Sequence, residues 1–269
     1  MKKIKAIVTG STSGIGKEIT SLLLKSGASV IGLARDHKKF EPDFDNYFPV
    51  AVDLSDLEKA ERIIPKILQE HSNIDVLICN AGLGDFRTLE NFSGKQIADF
   101  INLNLISHII LCRHIVSNMK TNGNGDIIVL GSEAALVGKK KASLYSAAKF
   151  GLRGFTQSLR DECGNNGVRV CLINPGLVRS PFFDSLNFKP GDAENNAIET
   201  DDIAKIVCDI IKTRQGTIID EIRTVVFASK GENKDVTYAD LDENQKYAVR
   251  LLRKLKDPAL KDKVLRNAS

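Results

Sequence analysis

The chain has 269 residues, 42% of them apolar and 27% charged, with a formal net charge of +4. That is chain enough for one domain with a sizeable core, and its composition suits an ordinary globular protein. So small a charge, with no Trp and only 6% aromatics, gives no electrostatic or base-stacking case for nucleic acid as a partner.

The start, Met1 to Gly10, is charged and lacks the apolar stretch of about seven residues of a signal peptide, so it reads as a first strand. Further strand-like runs are Ser29–Leu33, Val50–Val52, Asp75–Cys79, Asp126–Leu130, Val168–Ile173 and Ile222–Phe227, after the first at Ile4–Val8. Most are continuously apolar, as strands covered on both faces are. Helical patterns fall between them at about 14–26, 55–70, 95–119, 143–163 and 201–212. This alternation predicts an α/β fold with parallel pairing through βαβ crossovers. No run approaches the roughly 18 apolar residues of a spanning helix. The best candidate, 101–111, is broken by Asn102, Asn104, Ser107 and His108. No transmembrane segment is therefore expected.

The pattern makes residues 1–230 one catalytic domain. Residues 181–200, with Pro181, Pro190 and Gly191, read as a long surface loop that can include a short helix. Residues 231–269 form a charged, partly helical extension, with Leu241, Ala248, Leu251, Leu252 and Leu255 at helical spacing. From Lys246 on it has eight Lys/Arg against two Asp. It reads either as a solvated helix docked by its leucines or as a contact for a partner subunit or an anionic surface. The five cysteines (79, 112, 163, 171 and 208) show no CxxC pair or ligand spacing, so no metal is expected. Their odd number points to reduced thiols and a cytoplasmic setting.

The first strand runs into Thr9-Gly10-Ser11-Thr12-Ser13-Gly14-Ile15-Gly16, where a helix begins. A strand ending in a glycine turn that opens a helix aims backbone N–H groups and a positive helix end at one point, which suits a pyrophosphate. Gly10 permits the tight turn, and Gly14 and Gly16 permit close approach. The second strand ends Leu33-Ala34-Arg35. An acid where Ala34 stands would favour NAD(H) through the ribose hydroxyls. A guanidinium there can bind a 2′-phosphate bidentately, so NADP(H) is expected over NAD(H). Lys38 and Lys39 add positive charge, whereas Asp36 either pairs with Arg35 or faces solvent. An ordinary solvated loop would also account for Arg35.

Tyr145 and Lys149 lie four apart on one helix face. A phenol near pKa 10 is a poor catalyst at pH 7; a neighbouring ammonium is expected to lower it, and an oxidised nicotinamide to lower it further. The phenol can then give a proton to a carbonyl oxygen, or take one from an alcohol, as hydride moves. Such a pair arises readily by chance, so its weight rests on its company. Ser132 ends a strand thirteen residues upstream, on the rim where open α/β sheets bind ligands. It reads as a holder of the substrate oxygen or as a turn residue.

These pieces, with Asn80-Ala81-Gly82, Asn104 and Asn174-Pro175-Gly176 in the same order, resemble the classical short-chain dehydrogenase/reductase family from Lys3 to about Ser229. The resemblance implies a Rossmann-type doubly wound sheet, mostly parallel, of about seven strands with helices on both faces. It makes Tyr145 the general acid/base, Lys149 its tuner and holder of the nicotinamide ribose, and Ser132 the group that orients the substrate. Asn104 would hold a water linking Lys149 to solvent. Cofactor contacts implied are Gly10, Ser11, Ser13, Gly14, Ile15 and Gly16 at the turn, and Arg35, Asp53 and Leu54 at the adenosine. Asn80, Ala81 and Gly82 would line the cleft, and Pro175, Gly176, Val178 and Ser180 the nicotinamide side. Cys79 stands where the family usually has a second Asn, Ser180 where it usually has Thr, and the 231–269 tail is additional. The family further implies a homodimer or homotetramer through helices 95–119 and 143–163.

The expected activity is hydride transfer between NADP(H) and a carbonyl or secondary alcohol. A non-catalytic dinucleotide-binding regulator is the alternative, and a cofactor-retaining epimerase or dehydratase a weaker one. For the substrate, Phe182, Phe183 and Phe188 suggest an apolar wall, and Arg179 a contact for a carboxylate if small hydroxy acids are used.

Overall fold

In the computed structural model, which describes residues 4–226, β1 (Lys5–Thr9) is followed by α1 (Gly14–Lys25), β2 (Ser29–Ala34), β3 (Tyr47–Ala51) and α2 (Leu57–Glu70). Next come β4 (Val76–Cys79), α3 (Gly94–Ile101), a π turn (Asn102–Ile106), α4 (Ser107–Asn122) and β5 (Gly125–Leu130). The chain continues through α5 (Ser143–Cys163), β6 (Val168–Pro175), the short strands β7 (Val178–Arg179) and β8 (Ile198–Glu199), α6 (Thr200–Lys212) and β9 (Glu221–Thr224). The extension read at 231–269 lies outside the described residues.

Seven strands form one sheet in the order β3-β2-β1-β4-β5-β6-β9, and every neighbouring pair is parallel. The register explains why the strand sequences are so uniformly apolar. Ile31, Ile7, Leu77, Ile127 and Val170 lie side by side across five strands, and all five are fully buried. With a period of two, they share one face, where Ile64 and Ile67 of α2, Leu111 and Ile115 of α4 and Leu152 of α5 cover them. α1 and α6 pack together on the other side. Burying each such side chain contributes about 1.5–3 kcal/mol, so both helix layers are strongly specified.

The order of the strands locates the site. After β1 the chain works outward through β2 and β3; after β4 it works the opposite way. The carboxyl ends of β1 and β4 therefore border a crevice at the point where the winding reverses, the usual ligand position in such sheets.

The structure corrects several boundaries. β3 begins at Tyr47 rather than Val50 and contains Pro49. It tolerates a residue with no N–H because it is the sheet edge. β9 stops at Thr224. The helix read as 95–119 is α3 and α4 joined through the π turn, a continuous 29 residues long and apolar enough to cross a membrane by length and composition. Here its Leu111, Cys112, Ile115 and Met119 face the core. In residues 181–200 the short helical pieces are 3-10 turns at Pro181–Phe183 and Glu194–Asn196, and the addition to the expected loop is β8, which pairs with β7 in parallel.

At the far end of the sheet, Arg169 of β6 grips Asp126 of β5 with two bonds of 2.6 and 2.8 Å, and both residues are buried. Burial pushes the Asp126 carboxyl above its usual range, which Arg169 only partly offsets. The same guanidinium donates to the Thr213 carbonyl at 2.7 Å, holding the turn after α6.

Candidate active site

Thr9 closes β1 and organises the crevice. Its buried hydroxyl accepts the backbone N–H groups of Asn80 and Ala81, each at 2.8 Å. Asn80 Nδ2 donates back to the Thr9 carbonyl at 2.9 Å. The ends of β1 and β4 are thereby locked side by side. Gly10 then turns with φ +66 and Gly14 with φ +50, a region that L side chains adopt at a cost. Gly16 is constrained by space instead: a Cβ there would run into the Gly10 carbonyl and the Asn80 amide.

Helix α1 opens at this turn with its anion-binding capacity intact. Ser13 is extended and exposed, its hydroxyl caps nothing, and the first turn holds no acid. Ser180, which caps the Pro181–Phe183 turn, faces Gly14 across the crevice: a Cβ on Gly14 would meet Ser180 Cβ at 3.4 Å. Ile15 is half-buried in the first turn. These features fit an extended dinucleotide whose pyrophosphate lies on the turn.

Ser11 follows Gly10 in the glycine turn. It is fully buried, and its hydroxyl meets the Tyr47 hydroxyl at 3.3 Å. Tyr47 is 3.0 Å from His37 Nδ1, and His37 Nε2 donates to the Val50 carbonyl at 3.1 Å. This chain pins the loop after β2 to the edge strand. Arg35 stands exposed on that loop, in no ion pair among the described residues. Asp36 does not neutralise it; its carboxylate accepts the Lys38 N–H at 2.9 Å. Across from the loop, Asp53 accepts two bonds from Ser55 at 2.7 and 2.9 Å. Burial raises its pKa, but Ser55 and the nearby Arg35 charge outweigh that and hold it below the usual range. Leu54 is part of the core.

The helix face of α5 carries Tyr145 and Lys149, both buried. The Lys149 ammonium donates to the Leu130 carbonyl at 2.9 Å and lies 5.7 Å from the centre of the Tyr145 ring. Ser132 follows β5, its hydroxyl within hydrogen-bonding reach of the phenol and accepting Ala134 N–H at 3.1 Å. Ser132 thus caps a 3-10 turn and lies beside Tyr145. The expected lowering of the phenol by the ammonium is corrected. Burial pushes Tyr145 up to about 12, Ser132 opposing it, while burial brings Lys149 down to about 8. Losing water costs each charged form more than their mutual proximity returns.

Asn104 sits in the π turn, fully buried. Its side chain donates to the Phe100 carbonyl at 3.1 Å and accepts Leu83 N–H at 3.2 Å. Gly82 leaves room for it, since a Cβ there would lie 2.8 Å from Asn104 Oδ1. One turn on is His108, which the sequence reading left unassigned. Its Nε2–H donates to the Ala81 carbonyl at 2.8 Å, and Nδ1 has no hydrogen-bond partner among the described residues. Burial, with the Lys149 charge, lowers its pKa to about 3. Between about pH 6.5 and 3 the unfolded chain binds a proton that the folded one excludes, so stability is lost as pH falls below about 6.5. Urea midpoints at pH 7 and pH 5 are expected to differ less in His108→Leu than in the native chain; an identical drop would remove His108 as the cause.

A second group missed by sequence is the brace behind Ser132. Buried Asn174 accepts Ser132 N–H at 3.1 Å and donates to Glu221 at 2.6 Å. Glu221 is held by Arg153 of α5 at 2.9 Å. Arg153 lies one turn beyond Lys149, so this path joins the helix bearing Tyr145 to the strand end bearing Ser132. Pro175 ends β6, Gly176 N–H bonds the Thr224 carbonyl at 2.9 Å, and Val178 is buried beside them. Cys79 is buried beside Cys112, and this thiol contact together with burial pushes it well above the usual thiol range, which makes it inert. Among the described residues no three His, Cys, Asp or Glu side chains gather as a metal site.

The comparisons with known proteins agree with this geometry. Residues 4–190 match the family model of the short chain dehydrogenases. A 3-oxoacyl-(acyl-carrier-protein) reductase of Buchnera aphidicola subsp. Acyrthosiphon pisum is 35% identical over 186 residues, covering 68% of this chain and 76% of that protein. The reductase of the same name from Escherichia coli K12 is 28% identical over 243 residues, covering 89% and 95%. The crystal structure of a metagenomic short-chain oxidoreductase in complex with NADP is similar at TM-score 0.71 and 28% identity, over 82% of this chain and 97% of that one. With a family model spanning most of its length and the glycine turn, Ser132, Tyr145 and Lys149 brought around one crevice, this chain belongs to the short-chain dehydrogenase family and is an oxidoreductase.

Proposed function

We propose that the chain transfers hydride between NADP(H) and a carbonyl or secondary alcohol carbon, with Tyr145 as general acid/base. The observation that carries this reading is the meeting of Ser132, Tyr145 and Lys149 at the carboxyl end of β5, beside the glycine turn. When bound, the nicotinamide supplies or accepts the hydride. The chain's own residues do the rest. Ser132 and Tyr145 hold the carbonyl oxygen between two hydroxyls. A phenol kept near 12 is fully protonated at neutral pH, and the alkoxide oxygen formed by reduction is far more basic, so the proton passes to it readily. One ketone, one hydride and one proton thus become one secondary alcohol. Lys149, at about 8, is positioned to bind the ribose and to return a proton to the phenolate. Asn104 would lead that path toward solvent.

The residues fit the phosphorylated cofactor. Gly10, Ser13, Gly14 and Ile15 would take the pyrophosphate, and Asp53 with Asn80 to Gly82 the adenosine side. Ser11, Gly16 and Leu54 would support from beneath, and Pro175, Gly176, Val178 and Ser180 the nicotinamide. Arg35, uncommitted and exposed, would take the 2′-phosphate, and one similar oxidoreductase is described in complex with NADP. Charge-assisted hydrogen bonds contribute about 1.5–3 kcal/mol. Arg35→Ala is therefore expected to raise KM for NADPH about 10- to 100-fold and to leave KM for NADH within about twofold. Steady-state kinetics with both cofactors checks this, and equal losses would favour NAD(H). Assembly as a homodimer or homotetramer is part of the proposal, with α4 and the exposed Phe150 of α5 as its surface. The direct test of function is NADPH oxidation by the purified chain over a panel of carbonyls. Tight NADPH binding without turnover on any of them would favour a dinucleotide-binding regulator.

A further inference from the structure

The carbonyl reductase reading leaves the substrate open, and the surroundings of Tyr145 narrow it. Phe86 packs on the phenol ring at 5.1 Å between centroids, Phe182 at 6.0 Å and Phe100 at 6.4 Å. Phe188 lies edge-on to both Phe86 and Phe183, at 5.1 and 5.6 Å, and Phe183 meets Phe182 at 5.1 Å. Phe100 alone is core; Phe86, Phe182 and Phe183 are half-buried, and Phe188 is exposed. Two separate loops thus bring aromatic side chains around the Tyr145 ring. Gly84 serves the same end, because a Cβ there would press into Phe182 and Phe86 at 2.5 to 2.8 Å.

Lys149, 5.7 Å from the Tyr145 ring, is buried on the Leu130 carbonyl and assigned above to the ribose, and three cations of the flanking loops are committed elsewhere. Arg179, the candidate for a substrate carboxylate, binds Glu199 at 2.8 Å and the Gly191 and Ala193 carbonyls at 2.7 and 3.2 Å. It braces β7 against β8 and the loop before it. Arg87 is paired with Asp85 at 2.6 Å and stacked 4.2 Å over Phe92. Lys189 pairs with Asp192. A carboxylate at this wall would lose water without gaining a partner, and it would face ring quadrupoles that are negative on their faces.

We infer that the substrate is an uncharged ketone or aldehyde bearing an aryl or bulky alkyl group, seated on Phe86 and Phe182, rather than a small keto or hydroxy acid. This rests on the oxidoreductase reading above. The probes are matched pairs: acetophenone against 4-acetylbenzoate, and ethyl 3-oxobutanoate against 3-oxobutanoate, each with NADPH and the full chain. The neutral member is expected to have the higher kcat/KM by at least about tenfold. Phe86→Ala and Phe182→Ala are expected to raise KM for acetophenone about fivefold or more while leaving KM for NADPH unmoved, and Phe182→Leu to keep most of the affinity. Arg179→Ala is expected to change both members of a pair by the same factor. Equal or better use of the anions, or an Arg179→Ala effect confined to them, would overturn the inference while leaving the oxidoreductase reading standing. No carbonyl turnover with NADPH bound would overturn both.

Discussion

Tyr145→Phe is expected to lower kcat for carbonyl reduction by about 10²- to 10⁴-fold, the range for removing a positioned general acid. NADPH affinity, measured by fluorescence titration, is expected to stay within about twofold, because only the hydroxyl is removed and the ring contacts to Phe86, Phe100 and Phe182 persist. The variant also relieves burial of a polar oxygen, so its thermal midpoint is expected to hold or rise slightly. A loss below about tenfold with a folded protein would mean that the proton comes from elsewhere in the crevice.

Arg169→Met is expected to be the most damaging single change for stability. It would strand Asp126 in a site where burial already pushes its carboxyl up, and breaking a buried pair by removing one partner costs about 3–5 kcal/mol. Three carbonyls after α6 would also lose their donor. At 2–4 °C per kcal/mol for a domain of this size, the midpoint should fall by roughly 6–20 °C. Pairing it with Asp126→Leu should recover much of the loss, since an apolar pair leaves no buried charge. The pair lies at the amino ends of β5 and β6, away from Ser132, so kcat of the folded variant is expected to be unchanged. A midpoint within about 2 °C of the native chain would show that water reaches Asp126.

Most of the fold could be read from the chain because its strands are buried on both faces, and continuous apolar runs such as Val76–Cys79 and Ile127–Leu130 need no partner to be recognised. β3 was misplaced because Pro49 interrupts it, and only its edge position makes that harmless. β7 and β8 are too short to carry a periodic signal. At the site, Tyr145, Lys149 and Ser132 were legible through spacing and order. Asn174, Glu221 and Arg153 were not, since their association depends on three elements meeting after folding. The contact between the Ser11 and Tyr47 hydroxyls was not legible for a similar reason, since the two lie 36 residues apart. The effect of Lys149 on the phenol was misjudged because spacing reports proximity and says nothing of desolvation.

The π turn at Asn102–Ile106 makes the site depend on chain length as well as on residue identity. A π turn amounts to one extra residue within an α-helix. It lets α3 and α4 keep separate angular phases, so that Phe100 meets Tyr145 while Leu111 and Ile115 meet the sheet. With one residue fewer and the wide turn kept, α3 would rotate by about 100° against α4. Phe100 would swing away from the phenol, and Asn104 would lose the Phe100 carbonyl it now holds. A homologue with such a gap could retain every catalytic side chain and still not assemble this crevice, unless the turn itself closes into regular α form and restores the phase.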